Sequence, residues 1–205
     1  MIKLLGNVPY EVTIACSGGV DSMVALDFLR KKRKVSVAFF DHGTETSKNA
    51  FNFLQDYCNT NGIEFLSAGV AYSKPNNESY EEYWRNARYH FFDSMNNTLI
   101  VTAHHLDDCV ETWIWSSLHG NPKLPLYKKK NVIRPFLLNK KEEFIRWAEK
   151  NNIPYIHDTS NDDTKYTRNM IRKEMMPYVL RVNPGIDKVV KKKLIKMYGD
   201  MQYVP

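Results

Sequence analysis

Two clusters of polar residues in this chain of 205 residues have the types and spacing for chemistry. The first is Ser17-Gly18-Gly19-Val20-Asp21-Ser22. Adjacent glycines let a backbone turn tightly and approach a ligand where a β-carbon would block it. If a helix follows, its unpaired N–H groups and the positive end of its dipole face the same point, which suits a phosphate. Asp21 would repel that phosphate without a cation between them, so it points indirectly to Mg²⁺. The second cluster is His104-His105-Leu106-Asp107-Asp108-Cys109-Val110-Glu111. Asp108 and Glu111 are three apart and share one helix face, where they could hold Mg²⁺ or the ammonium of an amine substrate. Adjacent histidines cannot both face one ion, so a His-x-x-x-His zinc site is excluded.

The flanking pattern says what positions these clusters. Val12-Thr13-Ile14-Ala15-Cys16 has the length of a buried strand, and apolar residues recur at helical spacing over 23–29. Further strands are expected at 35–40, 63–66, 98–103 and 132–136, with helices between them. The result is an α/β fold with a doubly wound, parallel, five-stranded sheet. Both polar clusters follow strands, so both should open onto the crevice at the strands' C-terminal edge, together with Asp41 and His42. The aromatics of the helix around Tyr83, Trp84, Phe91 and Phe92 read as a core stripe. Arg85 and Arg88 on that helix read as surface charge or as phosphate contacts. Asn139 with Glu142 is the expected cap pair of the next helix. Residues 1–138 are expected to form the nucleotide-binding domain, and residues 139–205 a small, basic, mostly helical extension. Residues 123–130 read as a flexible basic loop.

Composition narrows the partners. Residues 1–120 hold ten Lys/Arg against fourteen Asp/Glu, whereas residues 121–205 hold nineteen against nine. Such asymmetry suggests a polyanion bound by the second part. The basic stretches Lys128, Lys129, Lys130 and Lys191, Lys192, Lys193 are the candidate contacts. Three scattered cysteines make neither a zinc site nor a disulfide framework, and no apolar stretch suits a membrane span, so a cytoplasmic location is expected.

Ser17 to Ser22 resembles the SGGxDS loop of the PP-loop (ATP-pyrophosphatase) superfamily. Thr102-Ala103-His104-His105-Leu106-Asp107-Asp108-x-x-Glu111-Thr112 is similar to the TAHHxDDQxET motif of tRNA(Ile)-lysidine synthetases. Phe40-Asp41-His42-Gly43, Arg85-x-x-Arg88-Tyr89, Ile133-Arg134-Pro135-Phe136-Leu137 with Lys140-Lys141-Glu142-Glu143, and Asp158-Thr159-Ser160-Asn161-Asp162-x-x-x-Tyr166-x-Arg168-Asn169-x-Ile171-Arg172 match that family in order. The resemblance covers about residues 12–180. It implies an adenine-nucleotide α-hydrolase-like fold and ATP-dependent ligation of L-lysine to the wobble cytidine of a minor isoleucine tRNA. The route runs through an adenylated cytidine and releases AMP and pyrophosphate.

By the same resemblance, Ser17, Gly18, Gly19, Val20, Asp21, Ser22, Asp41, His42, Arg88 and His104 bind ATP. Asp21 and Asp108 hold Mg²⁺, and Asp108 and Glu111 bind lysine. Asp21, Asp108, Glu111, Arg168 and Arg172 form the catalytic set, and a homodimer is one assembly the reading allows. Thr44-Glu45 stands where the family usually has arginine, and Cys109 where it has glutamine. The alternatives are another adenylating PP-loop enzyme, thiolating RNA or amidating a small molecule, and a catalytically silent nucleotide- or RNA-binding relative. The absent C-x-x-C pair weighs against iron–sulfur thiolation.

Overall fold

The computed structural model describes residues 2–95, 98–157, 164–199, 201 and 203–204. Near the N-terminus β1 (Leu4–Leu5) pairs antiparallel with β8 (Tyr203–Val204). The main sheet has six strands: β2 (Glu11–Ala15), β3 (Lys34–Asp41), β4 (Glu64–Gly69), β5 (Ile100–Val101), β6 (Lys128–Lys129) and β7 (Val132–Ile133). Their order is β4-β3-β2-β5-β7-β6, with every pair parallel except β6–β7. The five expected parallel strands are present, and the addition is the antiparallel edge strand β6. It lies in the segment read from sequence as a flexible loop. Two lysines on a two-residue edge strand carry no apolar alternation to reveal it, and charged edges also discourage pairing with other chains.

Eight α-helices are described: α1 (Val20–Arg30), α2 (Glu45–Asn61), α3 (Tyr80–Ser94), α4 (Leu106–Leu118), α5 (Lys141–Asn151), α6 (Thr167–Met170), α7 (Met176–Val182) and α8 (Ile186–Tyr198). A π-helical turn, Ile171–Met175, joins α6 to α7. Among the described residues no helix is long and apolar enough to cross a membrane. Helix α2 stops at Gly62 in the left-handed conformation, φ 63°, as the Asn61-Gly62 pair predicts. Helix α5 departs from its expected cap: the Lys140 N–H donates to the Glu143 carboxylate at 3.1 Å. Asn139 instead bridges to Lys3, accepting from its N–H at 2.8 Å and donating to its carbonyl at 2.7 Å. That clamp ties the N-terminus to the start of α5.

Alternating sheet residues face two layers. Ile14, Val101 and Ile133 join the main core with Met23, Leu26, Leu54, Phe136, Phe144 and, from α8, Val190 and Leu194. Ile100 and Val132 point the other way, against Phe92 of α3. The basic tail helix α8 thus docks through one apolar stripe and leaves Lys192 and Lys193 exposed. From β2 the chain steps to β3 and β4 on one side, then returns to lay β5 and β7 on the other. Strand order reverses at β2, so the loops leaving β2 and β5 open on one crevice. Register makes them neighbours, with Thr13 opposite Ile100 and Ile14 opposite Val101.

Candidate active site

The turn after β2 is built to leave backbone donors open. Gly18 has φ +82°, a conformation glycine tolerates, and its carbonyl accepts the Ile156 N–H at 2.9 Å. Gly19 begins α1 without any side-chain cap, so the first N–H groups of the helix face the crevice uncapped. Ser22 is buried, and its hydroxyl donates to the Gly19 carbonyl at 2.9 Å and accepts the Ser17 N–H at 3.2 Å. It holds the loop in shape, and Ser17 is the exposed hydroxyl.

This loop and the second cluster line one cleft of ≈ 490 Å³. The cleft brings together Ser17, Asp21, Ser22, His42, Arg88, His104, Asp108 and Arg168. Glu111 and Arg172 adjoin it through Asp108. Arg172 donates to Glu111 from Nε at 2.6 Å and from Nη2 at 3.0 Å, and its Nη2 lies 3.5 Å from Asp108 Oδ1. Arg168 reaches Glu111 Oε2 at 3.7 Å and Thr112 Oγ1 at 3.4 Å. Asp41 is not among the residues lining the cleft, and its Oδ1 accepts the Gly43 N–H at 2.8 Å.

The candidate lysines lie elsewhere. Lys128 and Lys129 are exposed on β6, and Lys130, at φ +53°, pairs with Asp93 at 2.5 Å. Lys193 sits 5.8 Å from the centre of the Trp113 ring. The Tyr127 N–H donates to Tyr198 Oη at 2.9 Å, so β6 and the end of α8 share one edge. The stretch Asp158 to Asp163, part of the sequence match, lies outside the described residues.

Charge in the site is arranged around His105. Burial works against its protonation, but Asp108, Asp107 and Asp21 outweigh that and raise its pKa to about 10. His105 Nε2 is 3.7 Å from Asp21 Oδ2, and its Nδ1 is 3.5 Å from Asp107 and 3.6 Å from Asp108. Burial pushes the Asp21 carboxyl up, and His105 with Lys141 more than reverse this, leaving it below its ordinary value. Lys141, from the first turn of α5, places Nζ 2.5 Å from Asp21 Oδ2 while its N–H donates to Asp107 at 2.8 Å. Asp108 is likewise depressed, against its burial, chiefly by the cationic His105, with Arg168 adding to it. His104 goes the other way. Burial, aided by Arg134, Arg168 and Arg88, overcomes Asp108 and lowers its pKa to about 3. A neutral His104 ring next to a cationic His105 follows, with His104 Nδ1 2.8 Å from Thr102 Oγ1.

Among the described residues no group of three or more His, Cys, Asp or Glu forms a metal cage. Mg²⁺ does not need one, since it is commonly held by one or two carboxylates together with substrate phosphates. Asp21 fits that role: its Oδ1 is buried and has no hydrogen-bond partner. Asp108 fits less well, because Oδ2 accepts the His105 N–H at 3.0 Å and Oδ1 faces Arg172.

Sequence reasoning missed three contributors. Lys141 lay within a quoted motif, and only the fold brings it to Asp21. Arg134 is buried, donating to the Leu126 carbonyl at 2.8 Å and to Tyr89 Oη at 2.6 Å. Trp84 was read as core, but it is half-buried and lines the cleft with Tyr166, while Tyr83, Ala87 and Phe92 form the buried stripe of α3.

The chain is similar to known proteins over most of its length. Residues 3–179 match the family model described as a PP-loop domain. The tRNA(Ile)-lysidine synthases of Thermotoga maritima, Francisella philomiragia and Staphylococcus aureus are 34%, 30% and 31% identical to the chain. The alignments cover 88%, 93% and 96% of this chain, but 48%, 51% and 50% of those proteins. The chain therefore spans about half the length of these relatives. Among solved structures, an NH3-dependent NAD synthetase from Campylobacter jejuni aligns with a TM-score of 0.48 and 13% identity, covering 97% of this chain and 91% of that one. With its glycine turn, its crevice at the reversal of strand order and the family model matching most of its length, the chain belongs to the PP-loop domain family.

Proposed function

We propose that this chain is the ATP-using catalytic part of a tRNA(Ile)-lysidine synthase. It would ligate L-lysine to the wobble cytidine of a minor isoleucine tRNA through an adenylated cytidine. One observation carries the reading: the phosphate-type turn and the acidic His104–Glu111 cluster meet in a single cleft, with His105 Nε2 3.7 Å from Asp21 Oδ2. The names of the relatives agree with it.

In this mechanism the open N–H groups of the turn and the α1 dipole receive the triphosphate, and Ser17 adds a donor. Asp21 Oδ1 would hold Mg²⁺, which supplies charge neutralisation on the phosphates. Arg88 and Arg168, with no carboxylate nearer than the 3.7 Å Arg168–Glu111 contact among the described residues, face the charge that develops as pyrophosphate leaves. His104, neutral, offers a hydrogen bond without adding charge. Asp108 and Glu111 counter the lysine ammonium, with Arg172 fixing the orientation of Glu111. Loss of a proton then frees the amine to displace AMP from the activated carbon.

Residues 1–138 would supply the nucleotide site, and residues 139–205 complete it through Lys141, Arg168 and Arg172 and carry RNA contacts. The test is incubation with ATP, Mg²⁺, lysine and total tRNA, followed by mass spectrometry of anticodon nucleosides. Lysidine with AMP and pyrophosphate is expected. Formation of ADP, or turnover indifferent to RNA, would refute the proposal.

A further inference from the structure

A row of rings crosses the cleft wall and runs out to solvent. Buried Phe40 touches His42 at 5.2 Å between centroids, and His42 touches Trp84 at 5.5 Å. Trp84 then meets Tyr80, one helical turn earlier on α3, at 5.4 Å, and Tyr166, from the far segment, at 6.4 Å. The outer ring, Tyr80, is 57% exposed. A cation lies beside each ring that branches from Trp84: Lys74 Nζ is 5.2 Å from the Tyr80 centroid and Lys165 Nζ 5.1 Å from that of Tyr166.

Core packing alone does not account for this placement. The apolar needs of α3 are met by Tyr83, Ala87 and Phe92 on its buried face. Large rings left at a cleft mouth, bracketed by ammonium groups, match what a single strand of nucleic acid presents: planar bases alternating with phosphates. One adenine would need one ring near the phosphate turn. A row extending outward past Trp84 offers more stacking surface than a mononucleotide uses.

We propose that Tyr80, Trp84 and Tyr166 form a stacking ledge for an unpaired base of the RNA substrate, with Lys74 and Lys165 beside its phosphates. The inference rests on the RNA-modifying function proposed above and adds how the single strand is gripped. The ledge selects a looped-out base over a paired one, because only an unstacked base exposes a free π-face.

The test measures binding of a labelled RNA hairpin, its fully duplex counterpart, and ATP, using the whole chain. Fluorescence anisotropy reads the RNAs and calorimetry reads ATP. Variants are Trp84→Ala, Trp84→Phe and the exposed Tyr80→Ala, which guards against a folding defect in the first. The ledge predicts that Trp84→Ala and Tyr80→Ala each weaken hairpin binding by roughly 10-fold, as loss of one base–aromatic stack does. Trp84→Phe should recover most of the loss, duplex affinity should stay at the wild-type level in every variant, and ATP affinity should stay there in Tyr80→Ala, whose ring lies outside the cleft lining. Weakened ATP binding with unchanged hairpin binding would assign the rings to adenine and overturn the ledge. Unchanged hairpin binding in both alanine variants would overturn it too. A wild-type chain that binds no hairpin would instead fail the substrate reading itself, and the ledge with it.

Discussion

Gly18→Ala probes the turn on which the proposed nucleotide site depends, and its cost follows from two separable effects. At φ +82° an L-residue pays the left-handed penalty, about 1–2 kcal/mol. The new Cβ would also stand 3.1 Å from both Cγ1 and Cδ1 of Ile156, closer than ordinary carbon contact. Ile156 cannot drift freely, because its N–H is bonded to the Gly18 carbonyl at 2.9 Å. Overpacking of this kind adds about 1 kcal/mol or more. Gly62→Ala is the internal control: φ is +63° there, with nothing within 4 Å of the added carbon.

In a chain of this size each kcal/mol moves Tm by about 2–4 °C. Gly62→Ala should lower Tm by roughly 2–8 °C, and Gly18→Ala by roughly 4–12 °C, from the two penalties combined. Thermal melts and ATP calorimetry read both. Only Gly18→Ala should weaken ATP binding. Adding Ile156→Ala should make Gly18→Ala less costly, a coupling of about 1 kcal/mol in a double-mutant cycle. If Gly18→Ala costs no more than Gly62→Ala and the cycle shows no coupling, the packing of Ile156 against the turn is not what shapes it.

Two further outcomes follow from ion pairs. Among the described residues, Arg172→Ala leaves the Glu111 carboxylate, 4% exposed, with only the 3.7 Å ion pair to Arg168. Because Arg172 is itself 40% exposed, the loss should be about 2 kcal/mol, below the range for a fully buried pair, and Glu111→Gln in the same chain should restore part of it in urea melts. The second concerns Lys140 and Asp187, which pin α8 to α5. Burial raises the Asp187 carboxyl, but its hydrogen bond to Lys140 outweighs this and holds it below 3.8; the same bond raises Lys140 above 10.5. The carboxylate contribution is therefore present above pH 3.8 and lost as pH falls through the depressed folded value. The lysine contribution is present below pH 10.5 and lost as pH rises past its folded value. Asp187→Asn should cost about 0.5–1 kcal/mol near neutrality. Its Tm gap to wild type should close in acid, and a gap that persists at pH 2 would exclude this pair as the source.

The parallel sheet was readable because strands covered on both faces, such as Val12-Thr13-Ile14, read as short uncharged β-branched runs, and the glycine turn because φ +82° admits little else. The meeting of the two polar clusters was also readable, since strand order alone decides which loops share a crevice. Edge strand β6 was not, because Lys128 and Lys129 are held by the paired backbone rather than by their side chains. Trp84 was misplaced for a different reason: a helical stripe of Tyr83, Trp84, Ala87 and Phe91 does not say which edge of the stripe borders an opening. The cap of α5 slipped by one residue because Asn139 had a better partner in Lys3, which lies 136 positions away. Lys141 became a neighbour of Asp21 only through aromatic packing of α5 on α1, where Trp147 meets Phe28 at 5.2 Å and donates to Asp27 at 2.9 Å.

The π-helical turn after α6 sets the phase of everything beyond it. Its wider coil accommodates an extra residue, so side chains on either side of Ile171–Met175 are offset by about 100° from where an unbroken helix would aim them. Upstream, Arg168 looks into the cleft; downstream, Tyr178 and Val182 look out, 68% and 88% exposed. Excising Lys173 alone would rewind the rod to a single pitch, and the guanidinium end and the apolar end could no longer both keep their present bearings.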